Sequence, residues 1–341
     1  MESKGRLRSL DILKGIAIIS VVVGHAGFGG IITKYLSSFH LQLFFFVSGL
    51  LFSSEKYKEF TVFTKRRAKS LLLPYATFAI ITIIICMMCT LVVGHNLYNL
   101  PESLKGIVWS NKSIFPITGG IWFLQCMFVV EIVYWLITRF VSYRLLPVVA
   151  IVFAILSFFQ SMFVLSLPFS IDSALSAIVF FCVGNLSRSS FSKLNSTSTT
   201  SAKMLFLGTG IILIGATISF VNGSVNPRTC EYGNIVLYYL AALISIVGWG
   251  YLAVGMDRKR GELFSWVNYE LSEAGRNSIV YLGLNQLVLT GLFYFYKSIF
   301  YSESIMYKAT RNILVCFFTC LIIKYIARIV LSTKLKVLIG R

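Results

Sequence analysis

RLRSLDILKGIAIISVVVGHAGFGGIITKYLSSFHLQLFFFVSG occupies residues 6–49. Two apolar segments are joined by a short Gly-rich link. Four ionisable groups lie in or beside them: Asp11, Lys14, His25 and His40. Lipid tails offer a charge no partner, so ionisable groups are rare in membrane segments and mark a functional site by default. The reading of every other stretch follows from whether this hairpin sits in a membrane.

Composition says that it does. Of 341 residues, 57% are apolar, and the mean hydropathy is +0.80. Soluble domains carry about 45–50% apolar residues. The apolar residues come in runs of membrane-spanning length, separated by polar links. The net charge of +18 is clustered in those links. Such clusters are expected of membrane topology and anionic lipid rather than of nucleic acid. Cys86, Cys89, Cys126, Cys182, Cys316 and Cys320 fall inside apolar runs, and Cys230 lies alone in a link. They read as packing groups, with no metal expected. No small-residue cleavage site follows the first run, which is expected to be a retained helix.

The expected fold is an all-α polytopic integral membrane protein with about ten transmembrane helices and both termini cytoplasmic. Spans are expected near 12–28, 39–54, 71–94, 118–138, 146–165, 171–187, 203–221, 234–255, 277–296 and 311–331. Alternate links, starting with the N-terminus, hold 24 of the Lys and Arg residues, against seven in the opposite links. That asymmetry sets the orientation. The external links at 95–117 and 222–233 are too short for a domain, so residues 1–341 read as one transmembrane domain.

Along the first span, Lys14 and His25 are eleven residues apart, three helical turns at about 100° per residue. Both side chains therefore share a face. The rise of about 16 Å puts Lys14 near the cytoplasm and His25 near the external end. Asp11 lies one turn before Lys14. His40 is expected to open the second span beside His25. A neutral imidazole near pH 7 can take a proton from a hydroxyl or carry an acyl group itself, and both routes stay open here.

Further along, FTKRRAKSLLLPY at 63–75 puts Arg66 and Lys69 on one helix face with Arg67 beside them, a pattern that suits phosphate as well as plain topology. Pro74 is expected in the first turn of span three. In span four Trp122 reads as an interfacial aromatic, and mid-span Glu131 is expected to pair with a basic group on a neighbouring helix. GRNSIVYLGLNQLVL at 275–289 opens span nine, with Asn285 and Gln286 inside it, expected to bond across helices.

At these residues the chain resembles the membrane-bound acyltransferase-3 family, which includes bacterial polysaccharide O-acetyltransferases. RLRSLDILKGIAIISVVVGH, FHLQLFFFVSGLLF, the basic stretch before LLLPY, the WFL of span four and GRNSIVYL occur in the family's order. The family's basic-x10-His motif falls on Lys14 and His25, and its basic pair on Arg66 and Lys69. This chain reads Asn285 where members often carry His, and Lys69 where many carry Arg. The resemblance implies an integral enzyme of the bacterial inner membrane that takes acyl-CoA, most often acetyl-CoA, from the cytoplasm. It implies transfer to a hydroxyl of an envelope polysaccharide or lipid-linked sugar. On this reading His25, His40 and Asp11 serve catalysis, and Lys14, Arg66, Arg67 and Lys69 bind the donor. The alternatives are a longer acyl donor with a lipid or peptide acceptor, and a non-enzymatic transporter or flippase of a lipid-linked sugar. A transporter predicts polar residues spread through many spans, whereas here they concentrate in the first third.

Overall fold

The computed structural model describes residues 7–93, 100–109, 119–163, 165–299 and 304–341. Lys4, Arg6, Lys112 and most of the 95–117 link lie outside these. Among the described residues there is no strand, and every regular element is a helix. The protein is an all-α polytopic membrane protein. An apolar environment has no water to bond backbone groups, and a helix satisfies them within itself.

The helices are α1 (Arg8–His25), α2 (Gly30–Leu51), α3 (Phe60–Arg67), α4 (Leu73–Val93), α5 (Leu100–Val108), α6 (Trp122–Phe140) and α7 (Leu146–Phe163). They continue with α8 (Ile171–Leu186), α9 (Arg188–Ser196), α10 (Ser201–Val221), α11 (Ile235–Arg258), α12 (Glu262–Arg276), α13 (Ser278–Ile299) and α14 (Ile305–Ser332). Each expected span has its helix. Eight helices among the described residues are long and apolar enough to cross a membrane. The remaining two expected spans, α1 and α2, fall outside that set. Arg8, Asp11 and Lys14 dilute the first, and Lys34, His40 and Gln42 the second.

Two expectations are corrected. Pro74 is in the first turn of α4 as expected, but span three begins well before 71, because α3 and α4 run on as one rod from Phe60. A π-turn at Ala68–Leu72 joins them, and Leu73 N–H donates to Ala68 O. Proline has no N–H for the ordinary i→i−4 bond, and the wider turn takes up that loss. The second span also starts early, at Gly30, so that α2 includes the polar turns before His40. The short α7–α8 link is fixed by buried Asp172, whose carboxylate accepts from Leu167 N (3.1 Å) and Ser173 N (2.8 Å).

The chain forms two compact units. The first comprises Met1–Phe52, Phe180–Asn226 and Tyr232–Ser278. Here α10 packs along α11 and α1 along α12. Small residues allow both approaches, as is usual where lipid supplies no hydrophobic drive between helices. A Cβ at Gly15 would collide with Leu271 O, and one at Gly275 with Asp11 O. A Cβ at Gly208 would lie 2.9 Å from Gly248 O. Where α2 meets the end of α8, Gly49 faces Phe181 O and Gly184 faces Phe46 O with the same lack of room. The second unit comprises Ser53–Val179, Pro227–Glu231 and Ile279–Arg341. Its C-terminal turn Lys334–Ile339 packs on α4, where Thr77 Oγ1 donates to Leu338 O (3.0 Å).

Overpacking a close crossing costs about 1–3 kcal/mol. Gly275→Ala is expected to lower the Tm of the detergent-solubilised protein accordingly. Gly24→Ala, with open space around it, leaves Tm within about 0.5 kcal/mol-equivalent of wild type. Thermal unfolding followed by size exclusion checks both, and an unchanged Gly275→Ala would contradict the crossing.

Candidate functional site

Within the first unit, the start of α1 is enclosed. Asp11 sits in its first turn, where the helix dipole favours a carboxylate. It is buried, with Oδ1 3.8 Å from Lys14 Nζ. Ser9 Oγ donates to Asn195 Oδ1 (2.8 Å), tying α1 to α9. The Gly15 and Gly275 contacts bring α12 directly over this turn. The Gly of the GRNS element is therefore a packing requirement of the α1–α12 crossing.

His25 ends α1 and is exposed. Gly27 and Gly29, at φ 74° and 96°, turn the chain into α2. His40 differs from expectation. It lies ten residues into α2, is 8% exposed, and its Nδ1 meets Leu36 O of its own helix. A carbonyl only accepts, so Nδ1 carries the proton and Nε2 keeps its lone pair. His25 and His40 are within electrostatic range of each other. They do not form one exposed pair, because the longer α2 carries His40 into the core. Asp11 is fourteen residues from His25, about 21 Å along the helix, so it orients Lys14 and not His25.

In the second unit, the basic stretch divides. Arg66 is exposed and stacks over the Tyr57 ring at 5.1 Å. Lys69 is exposed, and its carbonyl lies against Gly340. Arg67 turns inward instead. Its Nε is 2.7 Å from Glu131 Oε2, and its guanidinium lies 5.4 Å from the Phe63 ring centre. The Arg67–Glu131 contact is an ion pair that lacks the alignment of a hydrogen bond. Glu131 thus has the basic partner expected for it, one turn-phase away from the two exposed cations.

The WFL element is core rather than interface. Trp122 is only 4% exposed, and Gln125 Nε2 donates to Ile107 O (2.6 Å), an acceptor shared with Tyr75 Oη (2.7 Å). Asn285 is fully buried but donates to Tyr281 O and Leu282 O of its own helix, not across to a neighbour. Among the described residues, no group of three His, Cys, Asp or Glu side chains could hold a metal ion. Arg228, from the 222–233 link, is part-buried, and burial pushes its guanidinium below its ordinary range while the interaction with Tyr75 opposes this.

The family model described as "Acyltransferase domain" matches residues 7–329. The chain belongs to the acyltransferase-3 family. Comparison with curated proteins and with solved structures gives no match. The match begins at the residue before α1 and ends inside α14. It therefore includes the α1 face, the basic rod and the α12 crossing, and the protein is a membrane acyltransferase.

Removing one partner of a buried ion pair leaves the other charge uncompensated, at about 3–5 kcal/mol. Arg67→Met is expected to destabilise by about 3 kcal/mol, since Arg67 is partly exposed. The double variant Arg67→Met/Glu131→Leu recovers most of that. A double-mutant cycle on Tm reads the coupling, and strictly additive losses would remove the pair.

Proposed function

We propose that the protein is an O-acetyltransferase of the bacterial inner membrane. It takes the acetyl group from cytoplasmic acetyl-CoA and delivers it to a hydroxyl of an envelope polysaccharide or lipid-linked sugar. Lys14 binds the donor's phosphates, and for Arg66 and Lys69 the same role rests on the family's basic pair alone. His25 is the general base, Asp11 holds Lys14, and Arg67 and His40 act as positioning residues.

The observation that carries the reading is the layout of α1. A cation and a histidine lie on one helix face about 16 Å apart along the axis, a separation of the same order as an extended pantetheine arm. Lys14 lies beside a carboxylate under the α12 crossing, and His25 stands exposed at the other end. A donor anchored at the first would carry its thioester toward the second. His25 then removes the acceptor hydroxyl proton as the oxygen attacks the thioester carbonyl. The carbon–sulfur bond breaks, and the leaving thiolate takes the proton back from the imidazolium. Each of these proton transfers needs an imidazole that solvent or substrate can reach, which favours His25 over His40.

A positioned general base contributes about 10²–10⁴ in rate. His25→Ala is therefore expected to lose at least about 10²-fold in release of free coenzyme A thiol from acetyl-CoA, measured with purified protein and lipid-linked glycan. Lys14→Ala is expected to raise the KM for acetyl-CoA with a smaller change in kcat. Equal thiol release by wild type and His25→Ala would place the chemistry elsewhere. An unchanged KM in Lys14→Ala would remove Lys14 from the donor site.

A further inference from the structure

The turn from α11 into α12, in the first unit, forms a cleft of about 630 Å³ that the acyl-transfer reading does not use. It is lined by Arg8, Asp257, Arg258, Lys259, Arg260, Ser265 and the buried Asn268. Four cations face one carboxylate. Arg8 spends part of its charge on Asp257, at 3.8 Å. Arg258 is held in place by donating to Thr199 O, Leu194 O and Asn195 O (3.0, 3.3 and 2.6 Å). Lys259 lies over the Phe264 ring at 5.9 Å. Glu262, in the first turn of α12, is exposed and is the other acidic group nearby in the chain.

Asn268 gives the cleft a chemical preference. It is 2% exposed, and its Nδ2 donates to Met256 O at 2.6 Å. That bond fixes which amide atom is which, since a carbonyl cannot bond to Oδ1. Oδ1 is left buried with no donor from the protein. A buried acceptor left unpaired is costly, and a site that leaves one asks for a ligand with an O–H or N–H.

The outer face of α12 says where such a ligand comes from. Leu263 and Trp266 are 69% and 62% exposed, while Asn268, Ser272, Ala274 and Gly275 face inward. A short helix with one apolar outer face, beside a basic turn, lies in the headgroup layer of a bilayer. Trp is the side chain most suited to that level.

We infer that this cleft is a binding site for one anionic phospholipid headgroup. The phosphate sits among Lys259, Arg260 and Arg8, a headgroup hydroxyl donates to Asn268 Oδ1, and the acyl chains run over Leu263 and Trp266. Phosphatidylglycerol has this chemistry, whereas phosphatidylcholine lacks the donor and the net charge. A soluble phosphate ester such as 3′,5′-ADP shares the phosphate and the donors but has no chains.

Native mass spectrometry of the full chain, released from nanodiscs of mixed phosphatidylglycerol and phosphatidylcholine, tests this. Wild type is expected to retain one phosphatidylglycerol about tenfold over phosphatidylcholine. Two surface cations are worth roughly that factor or more at a membrane surface. Lys259→Ala/Arg260→Ala, Asn268→Leu and Ser265→Trp are each expected to lose about tenfold of that preference. Ser265 is exposed, so the Trp variant plugs the cleft without touching the core and carries the test where Asn268→Leu fails to fold. Retention without headgroup preference overturns the site. So does loss in the charge variant alone, which would be diffuse attraction. Displacement of phosphatidylglycerol by 3′,5′-ADP, or binding of that nucleotide with no lipid retained, overturns the lipid assignment.

Discussion

A charge in hydrocarbon has to find its partner inside the protein, and much of this structure follows from that constraint. Asp11 and Lys14 meet each other in the first turns of α1. Glu131, halfway along α6, is met by Arg67. Neutral polar groups obey the same rule with shorter reach, as Asn285 does with its own helix and Gln125 with Ile107 O. Well-packed apolar residues often serve stability as well as a buried ion pair, so such groups stand out as candidates for function. Glycine does complementary work. At Gly15, Gly275, Gly49 and Gly184 it lets backbones approach closely enough that van der Waals contact replaces the missing hydrophobic drive.

The helix order and the inward-facing groups were legible because both rest on local pattern. Apolar runs gave ten helices, and eleven-residue spacing gave a shared face for Lys14 and His25. What was not legible depends on phase and on partners distant in sequence. The polar turns around Lys34, Ser37 and Ser38 shorten span two on paper, yet the helix continues through them and takes His40 into the core. Adjacent helical positions point about 100° apart, so Arg67 faces Glu131 while Arg66, like Lys69 beyond it, faces out. Three helices, α5, α9 and α12, are too short or too amphipathic to register as spans. Trp122 reads as an interface residue by position, but α5 and α4 meet beside it and bury that end of α6.

The α12 helix links these levels. Its inner face carries Gly275 against Asp11, so the GRNS element supports the turn that holds Lys14. Its outer face exposes Leu263 and Trp266, and the turn that leads into it is basic. A segment near the end of the chain thereby packs against the turn near its beginning. Asn285 is buried and bonded within its own helix. On the proposed reading, proton transfer falls to His25, the exposed histidine at the end of α1.

The central claim is that one acyl group passes from a cytoplasmic donor to an acceptor on the other side of the membrane by way of α1. Sealed, oriented proteoliposomes given acetyl-labelled acetyl-CoA on the cytoplasmic face alone, with lipid-linked glycan in the bilayer, test it most directly. The account predicts label on glycan hydroxyls that face the opposite compartment, lost in His25→Ala. Label confined to the donor side, or label delivered equally well by His25→Ala, would contradict it.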